Sequence, residues 1–267
     1  MAVKKEVEIF INRYLRSQRY EVKIYPKTIN KVEIKNLVDK LMKATDFERP
    51  DGYLYDNTTH ILYIFEQFEF DCSPNNSSGS QLRENTSYVE KEIAKEISNT
   101  TSNTYHSTKV IDQGYSVKHG NTITYYPGED GDKYRNNYIS NFQEVYHKHS
   151  IKLKEYIQNC ENVITEKPTK VITTFLIEDK TKLGTHYKNG CSVGDDVDLL
   201  TTKQFVDEFK DSNIDYVIFG ALDNYFVSFC DRSILEIGNT DSIIDLCTKE
   251  FYILPAAILI TSAKRNK

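Results

Sequence analysis

The sequence has no long apolar run, no paired-cysteine spacing and no phosphate-loop or nucleophile motif, and each absence argues against a class of protein. Its longest apolar stretch, FYILPAAILI, is too short to span a bilayer, and the opening MAVKKEVEIF carries charges where a signal peptide needs an apolar segment. The expectation is a cytoplasmic protein with no membrane partner. Cys72, Cys160, Cys191, Cys230 and Cys247 are widely spread and never form CxxC, which argues against a disulfide framework or a zinc knuckle and for reduced thiols. No G-x-S-x-G, P-loop or G-x-G-x-x-G occurs, so a hydrolase triad, an NTPase and a dinucleotide-binding Rossmann site lack support. His147 and His149 are two residues apart, not the i, i+4 pair of a helical zinc site. Asp195, Asp196 and Asp198 lack EF-hand spacing. A formal charge of −5 leaves no global basic surface, so a nucleic acid would have to be held by a local patch.

What is present is an ordinary globular composition, 267 residues with 39% hydrophobic content, enough for a core. Helical spacing recurs from Val3 to Leu15, from Ile34 to Met42, from Val89 to Ile97 and from about Tyr134 to Asn159. Strand-like runs are RYEVKIYPK, a sheet-edge candidate ending in Pro26, then KVITTFLIEDK, DYVIFGAL, YFVSFC, SILEI and FYILPAAILI, with helices TKQFVDEFK and DSIIDLCTK among them. Near-continuous apolar strands alternating with helices predict an α/β fold, a mixed β-sheet with helices on both faces. A single α/β domain over residues 1–267 is expected, with a polar insertion at about 99–133 and a strand-rich C-terminal half at 134–267. Within the insertion HGN turns between YSVK and TITYY. Basic residues there, Lys118, His119, Lys133 and Arg135, could track a phosphate backbone, but aspartates equally dense around them favour a solvated surface.

The chemistry is expected in ERPDGYLYDNTTHILYIFEQFEFD, Glu48 to Asp71, where acids interrupt strand-like sequence. If Thr58 and Thr59 form a two-residue loop, Asp51 stands opposite Glu66, and two converging carboxylates can bind a divalent metal. Glu69 and Asp71 alternate onto the other face and are weaker candidates. Their plain alternative is a structural hairpin whose acids end the strands in water. Glu178 and Lys180 share a strand face, an E-x-K pair able to complete the hairpin site from a neighbouring strand, and otherwise a strand end meeting solvent. Glu33 is adequately explained by a capping box with Asn30.

A capped helix with an inward Glu, a strand beginning Pro-Asp-Gly, a hydrophobic strand ending in Glu and a charged helix together resemble the core of the PD-(D/E)XK nuclease superfamily, over residues 28–98. The resemblance implies a restriction-endonuclease-like core, Asp51 and Glu66 as metal-binding acids, and Mg2+ or Mn2+ as cofactor; Glu178 of the separate E-x-K pair is the further metal-ligand candidate. It implies supporting roles for Glu33, Gln67 and Arg83. Phe68 stands where the family has the lysine of E-x-K, so Lys91 or Lys180 is nominated to supply the cation. The function implied is metal-dependent cleavage of phosphodiester bonds in nucleic acid, DNA first, of a restriction or defence type, and a homodimer is compatible with it. Two alternatives stand beside it: a non-catalytic interaction protein on a degenerate nuclease-like scaffold, and a metal-dependent hydrolase of a small phosphoester.

Overall fold

The computed structural model describes residues 6–15, 19–25, 31–73, 106–111, 114–119, 122–126, 131–181, 185–188, 199–210, 212–223, 232–246, 251–254 and 257–260. The first elements are helix α1 (Glu6–Leu15), strand β1 (Arg19–Tyr25), helix α2 (Lys31–Leu41) and strands β2 (Thr45–Asp46), β3 (Gly52–Asp56) and β4 (Ile61–Phe70). Strands β5 (His106–Ile111), β6 (Gly114–His119) and β7 (Thr122–Tyr126) precede helices α3 (Gly131–Ser150) and α4 (Leu153–Glu161). Strands β8 (Lys170–Asp179) and β9 (Thr185–Lys188), helix α5 (Lys203–Phe209) and strands β10 (Tyr216–Asp223) and β11 (Arg232–Asn239) follow. Helix α6 (Thr240–Ile244) and strands β12 (Phe251–Leu254) and β13 (Ala257–Ile260) close the series.

The protein is α/β, and its centre is a seven-stranded mixed sheet in the order β1-β11-β10-β8-β4-β3-β2. β8 runs parallel to both β4 and β10, while β2, β3 and β4 form an antiparallel meander. β1 lies at the edge, as its terminal proline predicts, and pairs in parallel with β11. Side chains alternate across each strand, so every central strand feeds two layers. On one face, Phe65, Leu176, Ile218 and Leu235 pack under Val7, Phe10 and Ile11 of α1 and Ile34, Leu37 and Leu41 of α2. On the other, Phe68, Phe70, Phe175, Ile177 and Phe219 meet Tyr138, Phe142 and Tyr146 of α3 and Phe205 and Phe209 of α5. That second layer is an aromatic cluster with ring centroids 4.1 Å apart at Phe142–Phe205 and 4.9 Å at Phe70–Tyr138. Helices thus cover both faces, as the apolar strands predict.

Two expectations need correction, and two fall outside the described residues. The long helix predicted over 134–159 is two helices: the Ser150 hydroxyl donates to the His147 carbonyl, and the Lys152 N–H donates to His149, three residues back. Such local bonds tighten and end a helix, and α4 restarts at Leu153. FYILPAAILI is not one strand of the main sheet; its halves pair with β9 and β7 separately, and Pro255 between them has no N–H to continue a ladder. The predicted insertion hairpin is present as β6 and β7, in a four-stranded sheet of order β13-β7-β6-β5. The predicted helix at 89–97 and strand YFVSFC lie outside the described residues.

Gly52 opens β3 because nothing larger fits. A Cβ there would lie 2.1 Å from Cζ of the buried Phe65 and 3.0 Å from the Thr45 carbonyl oxygen. Gly52→Ala is therefore expected to lower stability by roughly 1–3 kcal/mol, read from urea unfolding. An unchanged midpoint would contradict this close approach.

Candidate functional site

The site is built from the register of the β3–β4 hairpin. Asp56 pairs with Ile61 and Gly52 with Phe65, which puts Asp51 and Glu66 in the next row, as the sequence predicts. The turn is longer than the two residues expected: it spans 57–60, with His60 in the left-handed region at φ 54°, and it keeps the same centre. Asp56 accepts from Thr58 N–H and pairs with Lys40 of α2, and that lysine, more than the turn bond, holds its carboxyl down at about 2.

Glu66 faces the aromatic layer and is 8% exposed. Three groups meet its carboxylate: the Asp51 N–H at 3.1 Å on Oε2, and the Tyr156 hydroxyl at 2.7 Å and His149 Nδ1 at 2.8 Å on Oε1. Burial and the neighbouring Glu66 push the Tyr156 phenol well up, so it remains a proton donor to the carboxylate. Phe68, two residues on, is buried on the same face and stacks on the His149 ring at 4.8 Å and 18°. The position that holds lysine in the nuclease pattern is thus a packing position.

The polar face of β4 is the other one. The Asp51 carboxylate turns back to accept the Gln67 N–H at 2.6 Å, so its backbone serves Glu66 while its side chain reaches Gln67. Asp51, Gln67 and Glu69, with Ile9 of α1 and Phe68, line an open pocket of about 360 Å³. Gln67 Oε1 is buried without a hydrogen-bond partner among the described residues. Glu69 pairs in register with Glu178 of β8. Lys180 Nζ stands 3.6 Å from Glu69 Oε2 and 2.8 Å from Glu178 Oε1, and Arg13 of α1 pairs with that same Glu178 oxygen.

The predicted residues therefore divide. Asp51, Gln67, Glu178 and Lys180 gather on the α1 side, and Glu69 belongs with them. Glu66 lies on the opposite face from Glu178, so the expected trio of Asp51, Glu66 and Glu178 does not surround one ion. Glu33 accepts a hydrogen bond from the Tyr216 hydroxyl at 2.6 Å, on β10, which β8 and β4 separate from β3. Arg83 and Lys91 lie outside the described residues. Alternation carried the signal for Glu69: Phe68 and Phe70 mark the core-facing side of FEQFEFD, which leaves Gln67 and Glu69 outward.

Among the described residues, no group of three or more His, Cys, Asp and Glu side chains is arranged around a metal-sized gap. Magnesium, however, is usually held by one or two carboxylates, waters and the substrate phosphate. The two carboxylates of Asp51 and Glu69 with the partnerless Gln67 amide oxygen are hard oxygen donors of that kind. Glu66, already satisfied by three neighbours, fits the role of a support that fixes Asp51. No known family's sequence pattern matches the chain, and neither a curated protein nor a solved structure is significantly similar to it. Among the described residues, no helix is long and apolar enough to cross a membrane.

Asp179, between Glu178 and Lys180, points into the aromatic layer, where it accepts from the Tyr138 hydroxyl and the Thr181 N–H, each at 2.8 Å. Burial, opposed by those bonds, raises its carboxyl to about 6. The folded state thus favours the protonated acid, and that stabilisation is complete below the unfolded value near 4 and lost as pH rises through about 6. Asp179→Asn should gain stability relative to the natural protein between pH 4 and 7, by on the order of 2 kcal/mol, in denaturant titrations at both ends. A difference independent of pH would contradict this.

Proposed function

We propose that the protein is a metal-dependent nuclease-like enzyme that cleaves phosphodiester bonds in nucleic acid, with DNA the first substrate to test. The observation that carries the reading is the pocket lined by Asp51, Gln67 and Glu69, whose Gln67 amide oxygen has no hydrogen-bond partner among the described residues. The order of elements supports it: helix α2, the β2–β3–β4 meander with Pro-Asp-Gly entering β3, and β8 parallel to β4 resemble the nuclease pattern read from the sequence. When bound, a divalent cation would lower the pKa of a water and stabilise charge on the phosphoryl oxygens. Asp51, Gln67 and Glu69 would hold it. Asp51 is suited to this because Glu66 fixes its backbone and the Gln67 N–H fixes its carboxylate, leaving little reorganisation on binding. Lys180, tethered by Glu178, stands 3.6 Å from Glu69 of the pocket wall.

A second reading is favoured by one specific observation. Phe68, packed on His149, replaces the lysine of the resemblance, as it would in a binding protein on a nuclease-like scaffold. Cleavage assays separate the two. With Mg2+ or Mn2+, the natural protein should cut plasmid or oligonucleotide substrates, and Asp51→Ala and Glu69→Gln should each lower the rate by at least about a hundredfold, with Glu66→Gln losing about 10–100-fold as an indirect support. Unchanged cleavage in Asp51→Ala removes this site. Turnover of a small chromogenic phosphoester without cleavage of nucleic acid would instead identify a small-molecule hydrolase.

A further inference from the structure

Asp51 lies one residue outside the β3–β4 ladder, whose last pair is Gly52 with Phe65, and its N–H donates to a side chain, Glu66 Oε2, at 3.1 Å. The place of Asp51 thus depends on the place of that carboxylate. Two donors fix the other oxygen: the Tyr156 hydroxyl of α4 and His149 Nδ1 of α3, at 2.7 and 2.8 Å from Oε1. A carboxylate accepts and does not donate, so Nδ1 carries the proton of this bond. Phe68 stacks on the His149 ring at 18° and sets its plane. The two donors stand seven residues apart in the chain. In one straight helix they would be separated by about 10.5 Å along the axis, too far to share one oxygen comfortably. The chain turns between them instead: the Lys152 N–H donates to the His149 carbonyl three residues back, and the Tyr156 N–H donates to the Lys152 carbonyl as α4 restarts. The break between α3 and α4 is what lets both donors meet Glu66.

We propose that Tyr156 and His149 are positioning residues of the pocket: acting through Glu66, they hold the Asp51 main chain in the place from which its carboxylate serves the pocket. The proposal deepens the metal-dependent reading and rests on it for the cation that Asp51 would receive. Tyr156 and His149 do not line the pocket, so their effect passes along hydrogen bonds and not through contact with a ligand. Groups of this kind, behind the residues that meet a metal, orient those residues before the ion arrives, and losing one typically weakens metal binding without removing it. Phe68 has a part in the same chain. A lysine at that position, as in the nuclease pattern, would leave the His149 ring without its stacking partner.

The test compares the natural protein with Tyr156→Phe, His149→Leu and His149→Asn, whose side-chain amide nitrogen takes the position of Nδ1. Two readouts are taken: Mn2+ affinity, from the electron paramagnetic resonance signal of the free ion, and hydrogen exchange of the Asp51 amide in EDTA. Tyr156→Phe and His149→Leu should each weaken Mn2+ binding by about tenfold and speed Asp51 exchange by roughly 2–10-fold, the worth of one hydrogen bond. His149→Asn should restore both. Urea unfolding separates positioning from stability: variants that unfold earlier, yet bind Mn2+ and exchange at Asp51 as the natural protein does, overturn the proposal. If His149→Leu does not fold, Tyr156→Phe, which keeps the buried ring and loses only the hydroxyl, decides alone. A natural protein that binds no Mn2+, with Asp51 exchange still faster in the variants, sinks the metal reading and leaves the positioning of Asp51 standing.

Discussion

The parallel ladder between β4 and β8 is the constraint on which the rest depends. It runs in unbroken register from Ile61 opposite Lys170 to Phe70 opposite Asp179. Because a slip of one residue would exchange the two faces of a strand, this register decides which acids meet the aromatic layer and which meet α1. Glu66 and Asp179 go to the aromatic side, Glu69 and Glu178 to the other. Even-numbered apolar residues of β4 and odd-numbered ones of β8, Phe68, Phe70, Phe175 and Ile177 among them, lock the choice by burial. Each such side chain buried is worth about 1.5–3 kcal/mol.

Placing charge in this sheet demands compensation, and each buried acid finds it differently. Glu66 takes a backbone N–H, a phenol and an imidazole. Glu178 takes two cations. Asp179 takes a phenol and a backbone N–H and still has its proton held more tightly than usual. Glu236 on β11, almost fully buried, accepts the N–H groups of Leu199 and Leu200 and so anchors the short 3-10 turn before α5. Asp51, Gln67 and Glu69 line an open pocket beside β4, which is why the chemistry is assigned there.

Much of this was legible in the sequence for simple reasons. Hairpin register follows from the centre of the turn, so Asp51 and Glu66 were paired correctly even though the loop is longer than expected. The apolar runs of β8, β10 and β11 declared a covered sheet, and Pro26 declared an edge. What the sequence did not yield was depth. Glu66 resembles a ligand in a linear pattern, yet Tyr156 and His149, far along the chain, occupy it. The break between α3 and α4 depends on local bonds at His147 and Ser150 that helical spacing does not reveal. The pairing of Arg13 with Glu178 joins residues 165 apart in sequence, which no local pattern can signal.

The central claim is that a divalent cation belongs on the α1 side of β4 and not at Glu66. Anomalous diffraction from a crystal soaked in Mn2+ tests it most directly. The account predicts a peak in the pocket with oxygens of Asp51, Gln67 and Glu69 at about 2.0–2.6 Å, a range that covers hard divalent cations, and with Glu66 still bonded to Tyr156. A peak coordinated by Glu66 in place of Glu69, or none in the pocket, would contradict it.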